Sequence, residues 1–350
     1  MNATAIEQSL TLHLIEKPTS EIVRFLEQTV WGSSGLQYYA KYYDQALLRI
    51  PNPRFFALRD AGTIIGCVMF FVKPVSLGMR VVKIAYLTQL SVLPQWRGQG
   101  LAGRLVNAVT RHIQAITPEP TGVTAYIDEA NTPSLTVFRG QGFTDLGSFH
   151  GIVINRIHPK PCLRAESLPE KDFTSTVNTL TALYAGHILQ DFETSLHPHE
   201  YRVIRDEEGN LIAGLQAHPE VWKVTHLEGL SGWLVIHGLS KIRWVRDHLF
   251  NPEVSRFLHI GNLYAKPGQE HYIFALIEDA LVRARVPFAV AYLDKRSPVY
   301  QRLAAAESFG ILNHEMETPV RVMSWFQGLT EAELIAARQQ PLSISPLDIS

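Results

Sequence analysis

The densest chemistry in the chain lies in Gln95-Trp96-Arg97-Gly98-Gln99-Gly100-Leu101-Ala102-Gly103. Three glycines and an arginine fall where an extended apolar segment gives way to a helical repeat. Glycine lets a backbone approach a ligand closely, and a helix start presents unpaired N–H groups at the positive end of its dipole. That combination suits a pyrophosphate; a tight strand-to-helix turn without a ligand is the plainer alternative. Gly98 to Gly103 also satisfies the G-x-G-x-x-G dinucleotide fingerprint, with Asp128 and Glu129 near the place of a ribose-binding acid. A dinucleotide turn leaves its strand at the first glycine, whereas here Pro94, Gln95, Trp96 and Arg97 intervene. Glu129 and Asp128 also end the next strand, where a carboxylate reaching the cleft would serve as a proton acceptor. His150 is a weaker option for that role. His187 and His197-Pro198-His199 lack metal-motif spacing and a cysteine partner, so no metal site is expected.

These residues need elements to hold them. Residues 10–15 alternate like an edge strand, and 20–30 and 36–48 read as helices. Residues 55–58 and 63–72 read as strands joined by the turn signal Arg59-Asp60-Ala61-Gly62. A long strand over 81–92 ends at Pro94. Leu101, Leu105, Val109, Ile113 and Ile116 recur every three or four positions, as in an amphipathic helix. A strand at 123–127, a short helix at 134–141 and a strand at 149–157 follow. Strand-helix-strand order implies an α/β sheet with covering helices. His158-Pro159-Lys160-Pro161 reads as a stiff linker. Beyond it the plan repeats faintly: a helix over 174–189, strands over 201–204, 211–217 and 257–265, a helix from Ile273 to Ala284, a strand at 288–293 and a helix at 299–306. This reads as a divergent duplication. The expected division is 1–157, a linker at 158–162, a second domain at 163–328, and a helix and tail at 329–350. The Pro- and Ser-containing end of the tail is expected to be mobile.

Length and composition bound the class. The chain has 350 residues, 46% hydrophobic and 19% charged, which suits a folded pair of domains rather than a disordered chain. Lys+Arg number 32 against Asp+Glu 33, so no general nucleic-acid binding is expected. Two cysteines, Cys67 and Cys162, make no disulfide framework and fit a reducing compartment. The opening residues 1–10 lack a signal-peptide pattern, and the most apolar stretch, 63–72, is about half the ~20 residues of a membrane helix. A cytoplasmic protein without a membrane partner is the expectation.

Leu90-Ser91-Val92-Leu93-Pro94-Gln95-Trp96-Arg97-Gly98-Gln99-Gly100-Leu101-Ala102 resembles the central motif of the GNAT acetyltransferase superfamily, which binds acetyl-CoA through this loop. A second block agrees: Asn131, Ser134, Phe138 and Gly142-Phe143. The resemblance covers roughly residues 8–157 and makes the second half look like a degenerate copy. It implies an α/β (α+β) chain of tandem acyl-CoA N-acyltransferase folds, each a mixed, mostly antiparallel sheet flanked by helices. By the same resemblance, backbone groups of Leu90, Ser91 and Val92 would pair with the pantetheine arm. N–H groups of Arg97, Gly98, Gln99, Gly100, Leu101 and Ala102 would hold the pyrophosphate, and Asn131 and Phe138 would line the far side. Asn131 reads equally as a helix cap. The N–H of Leu90 or Val92 would meet the oxyanion.

The implied reaction is acetyl transfer from acetyl-CoA to an amine on a small molecule or protein. An alkylamine titrates near ~10.4, so a proton must be removed. Tyr86 stands near the place where the family often carries a Glu base, and Glu129 is the other candidate. Phe138 occupies the place of a frequent tyrosine acid and cannot donate; a thiol pKa near ~8.5 still leaves thiolate a tolerable leaving group. Tyr38, Tyr39, Tyr42 and Tyr43 lie where the family shapes its acceptor pocket, as an aromatic wall or as helix core. In the second half, Leu263 to Tyr272 keeps only Gly268, so no acetyl-CoA is expected there. The alternatives are a non-catalytic acyl-CoA sensor or scaffold, and a dinucleotide-binding oxidoreductase.

Overall fold

The computed structural model describes residues 10–32, 35–156, 158–229, 250–306 and 318–349, with 234, 236–238, 241–243, 246 and the backbone of 314–315. The leader reading of residues 1–10 falls outside them apart from Leu10, as does residue 157. The chain begins with β1 (Leu10–Ile15), α1 (Ser20–Glu27), β2 (Trp31–Gly32), β3 (Leu36–Ala40), α2 (Tyr43–Leu47), β4 (Arg54–Asp60), β5 (Thr63–Leu77) and β6 (Arg80–Val92). It continues through α3 (Leu101–Ile116), β7 (Thr121–Asp128), α4 (Thr132–Gly140), β8 (Thr144–Asn155), β9 (Glu166–Ser167) and α5 (Phe173–Leu183). The rest comprises β10 (Tyr201–Arg205), β11 (Leu211–Leu227), β12 (Ser255–Ala265), α6 (His271–Ala284), β13 (Phe288–Leu293), α7 (Pro298–Ala306), β14 (His314–Glu315), β15 (Val320–Gln327) and α8 (Glu331–Gln339).

The strands join one sheet in the order β1-β4-β5-β6-β7-β15-β8-β13-β12-β11-β10-β9. β6–β7 and β12–β13 are parallel; the other described pairs are antiparallel. Both parallel pairs arise by the same path, an antiparallel hairpin followed by a helical crossover. The sheet does not break at residues 158–162. β8, the strand before the linker, completes the second half by pairing with β13, and β15, from the far end of the chain, pairs with β7. β8 and β15 also pair with each other. β8 and β15 therefore tie the first and second halves of the chain into one sheet.

Alternation on β4 and β5 sorts the N-terminal core into two layers. Phe55, Cys67, Met69 and Phe71 face one layer; Phe56, Val68 and Phe70 face the other, against α3. On α3 the buried residues are Leu101, Leu105, Val106, Val109 and Ile113, a stripe of helical spacing. Burial of such side chains stabilises the fold by roughly 1.5–3 kcal/mol each.

Three expectations are corrected. Residues 36–48 do not form one helix: Tyr38 and Tyr39 lie in β3, and only Tyr43–Leu47 is helical. The reason is a cross-strand partner: β3 pairs with β11, and Tyr38 stacks on Trp222 at 3.8 Å. The helix expected over 174–189 ends at Leu183, with Gly186 and Leu189 at positive φ. The tail is not mobile. Leu342, Ser345, Leu347 and Asp348 are buried, and the Asp348 carboxylate meets the Lys73 ammonium at 2.6 Å. Pro346 lies so close to Gly261 that a Cβ there would meet its ring at 2.6 Å.

Candidate functional site

β6 and β7 pair only from Lys83↔Thr121 to Tyr86↔Thr124. Beyond that point the strands part: β6 continues along β5, and β7 continues along β15. A wedge opens at the carboxyl ends of two parallel strands, with α3 packed beneath both. At the wedge β6 carries a bulge. Thr88 pairs with Met69 and Ser91 with Cys67, so Gln89 and Leu90 face a single β5 residue, and Gln89 has φ +55°. Leu90 and Ser91 are half-buried on this edge, while Val92 is buried.

The loop follows directly. Pro94–Trp96 forms one 3-10 turn. Trp96 N–H donates to Leu93 at 2.8 Å, and Arg97 Nε donates to the Val92 carbonyl at 3.0 Å. Gly98 and Gly100 have φ +75° and +74°, and a Cβ on either would meet nothing within 4 Å. Glycine is thus required for conformation, and the space beside it is open. No side chain caps α3 at Gly100. The first helical bond is Arg104 N–H to the Gly100 carbonyl at 3.1 Å, so the N–H groups of Leu101, Ala102 and Gly103 precede the ladder. Exposed Arg97, Gly98, Gln99 and Gly100 surround this uncapped helix start. These donors fit a pyrophosphate.

The other expected residues have other partners. Asn131 Oδ1 accepts Ser134 N–H at 3.2 Å and caps α4. Phe138 is 2% exposed and packs edge-on against Phe143 in the layer under α3. Tyr86 is buried between Phe71, Tyr126 and Lys73, and burial pushes its phenol well above the usual range. Glu129 is partly exposed and ion-paired with Arg321 of β15, which also reaches Asp145 at 3.2 Å. Asp128 accepts from Ala130 N–H at 2.9 Å and Thr318 Oγ1 at 2.9 Å. His150 lies on β8 opposite Leu293. His187 is buried, with ring nitrogens 2.8 Å from Ser297 Oγ and 3.1 Å from the Tyr184 carbonyl.

A second group was not foreseen. Gln89, at the bulge, lines a cavity of about 30 Å³ together with Tyr38, Trp222, Glu220, His259 and Ile349. Behind it lie His218 and Glu200. Burial and the positive charge near Arg49 and His218 push the His259 imidazole down to about 3. Burial raises the Glu220 carboxyl. Burial opposes ionisation of Glu200, yet His197, His218 and Arg49 together hold its carboxyl below its ordinary range. The only sequence signal was the i, i+2 spacing of His218 and Glu220 on a strand; His259 joins them through register. A groove between α1 and residues 44–53 shares no residue with the loop or this cavity. Among the described residues no helix is long and apolar enough to cross a membrane.

Residues 20–143 match the acetyltransferase (GNAT) family. No curated protein sequence matches the chain. Among solved structures, Saccharomyces cerevisiae N-myristoyltransferase with bound myristoyl-CoA is similar at TM-score 0.61 and 10% identity, over 91% of this chain and 83% of that one. A glucosamine N-acetyltransferase region of a fungal multi-domain β-N-acetylglucosaminidase is similar at TM-score 0.58 and 15% identity, over 90% of this chain but 38% of that one. A GCN5-related N-acetyltransferase from Anabaena variabilis is similar at TM-score 0.50 and 12% identity, over 90% and 72%. At these identities the likeness is one of fold. The mixed parallel and antiparallel sheet flanked by helices matches that fold.

Proposed function

We propose, from the match of residues 20–143 to the acetyltransferase (GNAT) family, that this chain is an N-acetyltransferase with one acetyl-CoA site, in its N-terminal half. The fold supports acyl transfer from an acyl-CoA to an amine; the acetyl group and the single site are the proposed refinements. The observation that carries the reading is the uncapped, glycine-lined start of α3 directly below the parted ends of β6 and β7.

In this reading the pyrophosphate takes the N–H groups of Leu101, Ala102 and Gly103, flanked by Arg97 to Gly100. The pantetheine amides add to the β6 edge at Leu90 to Val92, as an extended peptide adds to a sheet. The bulge leaves Leu90 outside the regular β5 ladder, which supports a role for its N–H toward an oxyanion. The acceptor amine must arrive unprotonated. Tyr86 is a buried phenol and Glu129 is ion-paired with Arg321, so in this reading the proton leaves by another group or through water.

The second half follows the same strand path, which supports reading it as a degenerate copy, with the division near 158–162 and strands β8 and β15 exchanged. Its equivalent helix start is unsuited to an anion. Buried Glu270 occupies the N-cap of α6, ion-paired with Arg302 at 3.5 Å, and a carboxylate there repels a pyrophosphate.

A thiol-release assay with acetyl-CoA and longer acyl-CoAs over an amine panel tests this. Turnover with acetyl-CoA and at least one amine is expected. Turnover with long acyl chains alone would refute the acetyl assignment. Binding without turnover would favour the sensor reading, which Phe138 in place of a donor supports. Binding of NAD in preference to any acyl-CoA would favour the oxidoreductase.

A further inference from the structure

β11 and β12 bring together three side chains that the loop and the β6 edge do not use. His218 and Glu220 are two apart on β11 and so share one face of the sheet. His259 stands directly opposite His218 in the β11–β12 ladder. One ligating atom from each lies within 4.8 Å of the other two. His218 and His259 are 0% and 2% exposed. Among the described residues, none of their four ring nitrogens has a hydrogen-bond partner, and neither does the enclosed Oε1 of Glu220. Native proteins keep nearly all buried polar atoms partnered. One nitrogen of each neutral imidazole and the Glu220 oxygen carry lone pairs, three atoms in one place that suit a ligand accepting lone pairs.

Two imidazoles and a carboxylate are the donor set of three-ligand zinc sites, which keep one position open. An outer carboxylate is also in place. Glu200 Oε2 lies 3.6 Å from His218 Nδ1, and Glu200 Oε1 is held by Arg49 Nε at 2.9 Å. Such outer acids orient a ligating imidazole. Zinc–ligand distances of ~2.0–2.2 Å put tetrahedral ligand atoms ~3.3 Å apart, a closure that side-chain rotation of an ångström or so supplies.

We propose that His218, Glu220 and His259 bind one divalent transition-metal ion of the zinc class, with its open position toward the cavity lined by Gln89, Tyr38 and Trp222.

The test uses the full chain, stripped with a chelator and titrated with Zn²⁺ by calorimetry and with Co²⁺ by visible absorption. One ion per chain is expected, with intense Co²⁺ bands of four- or five-coordination that Zn²⁺ abolishes. His259→Gln and Glu220→Gln should each weaken Zn²⁺ by more than ~100-fold, and Glu200→Gln by the ~10–100-fold typical of an outer partner. His199→Ala, at a side chain 86% exposed, should change nothing. Absence of Zn²⁺ binding at millimolar concentration would overturn the proposal, as would binding unaltered in both ligand variants. Should either variant fail to fold, the wild-type Co²⁺ spectrum decides: weak bands of six-coordinate oxygen ligation would overturn it. None of these readouts depends on acyl-CoA or turnover.

Discussion

Replacing Lys73 by Met should release the C-terminal tail. The Lys73 side chain is 3% exposed. Its ammonium lies 2.6 Å from Asp348 Oδ1 and 3.8 Å from Asp191 Oδ2. Removing it leaves two buried carboxylates without a cation, a loss on the order of 3–5 kcal/mol. Thr194 N–H donates to Asp191 at 3.1 Å, whereas Asp348, the nearer partner of the ammonium, accepts Ser345 N–H at the longer 3.3 Å. The cost therefore concentrates on the tail. Leu342 and Leu347, each 2% exposed, hold that tail with roughly 1.5–3 kcal/mol apiece. Penalty and anchoring are of the same order, so undocking of residues 340–349 competes with global unfolding. Limited proteolysis read by mass spectrometry should show cleavage near residue 340 in Lys73→Met and protection in the parent. Burial already holds the Asp348 carboxyl above its ordinary range, so desolvation cancels most of the pair's attraction. Lys73→Met combined with Asp348→Asn, which keeps an acceptor for Ser345, should then recover much of the loss. A protected tail in Lys73→Met, with stability changed by under ~1 kcal/mol, would refute the reasoning.

Three further outcomes are expected. Gly100→Ala should cost ~1–2 kcal/mol for its positive φ and weaken acyl-CoA binding, whereas Gly122→Ala, whose Cβ would meet Phe326 at 2.5 Å, should lower the melting temperature while sparing affinity; calorimetry and thermal melts separate the two. Glu129→Gln should cost at most ~1 kcal/mol and leave kcat far short of the ~10²–10⁴-fold loss of a general base. Burial holds the His187 imidazole below its free value, so the unfolded chain takes up that proton first and stability falls as pH drops below ~6.5. His187→Asn should make that acid limb shallower in melts between pH 8 and 5, without abolishing the part that His259 contributes.

What was legible depended on local pattern. The stripe on α3, the β4–β5 turn and the glycine loop each declare themselves within about 16 residues. β3 did not, because its strand form comes from pairing with β11 in the other half. Composition made the tail look mobile, but Leu342, Leu347 and the Lys73–Asp348 pair bind it down. The pairing of β8 with β13 and of β15 with β7 leaves no mark in the sequence, since either strand would satisfy the same alternation. His218, Glu220 and His259 become a group only through the β11–β12 register, and the ion pair of Glu129 is made with Arg321, on a strand from the far end of the chain.

The central claim is that one acyl-CoA site exists per chain, at the start of α3. Calorimetric titration of the full chain with acetyl-CoA tests it most directly, alongside Gly98→Glu and Gly100→Ala. The account predicts one equivalent bound by the parent and loss of binding in Gly98→Glu with the fold intact by circular dichroism. Two equivalents, no binding, or unchanged affinity in a folded Gly98→Glu would contradict it.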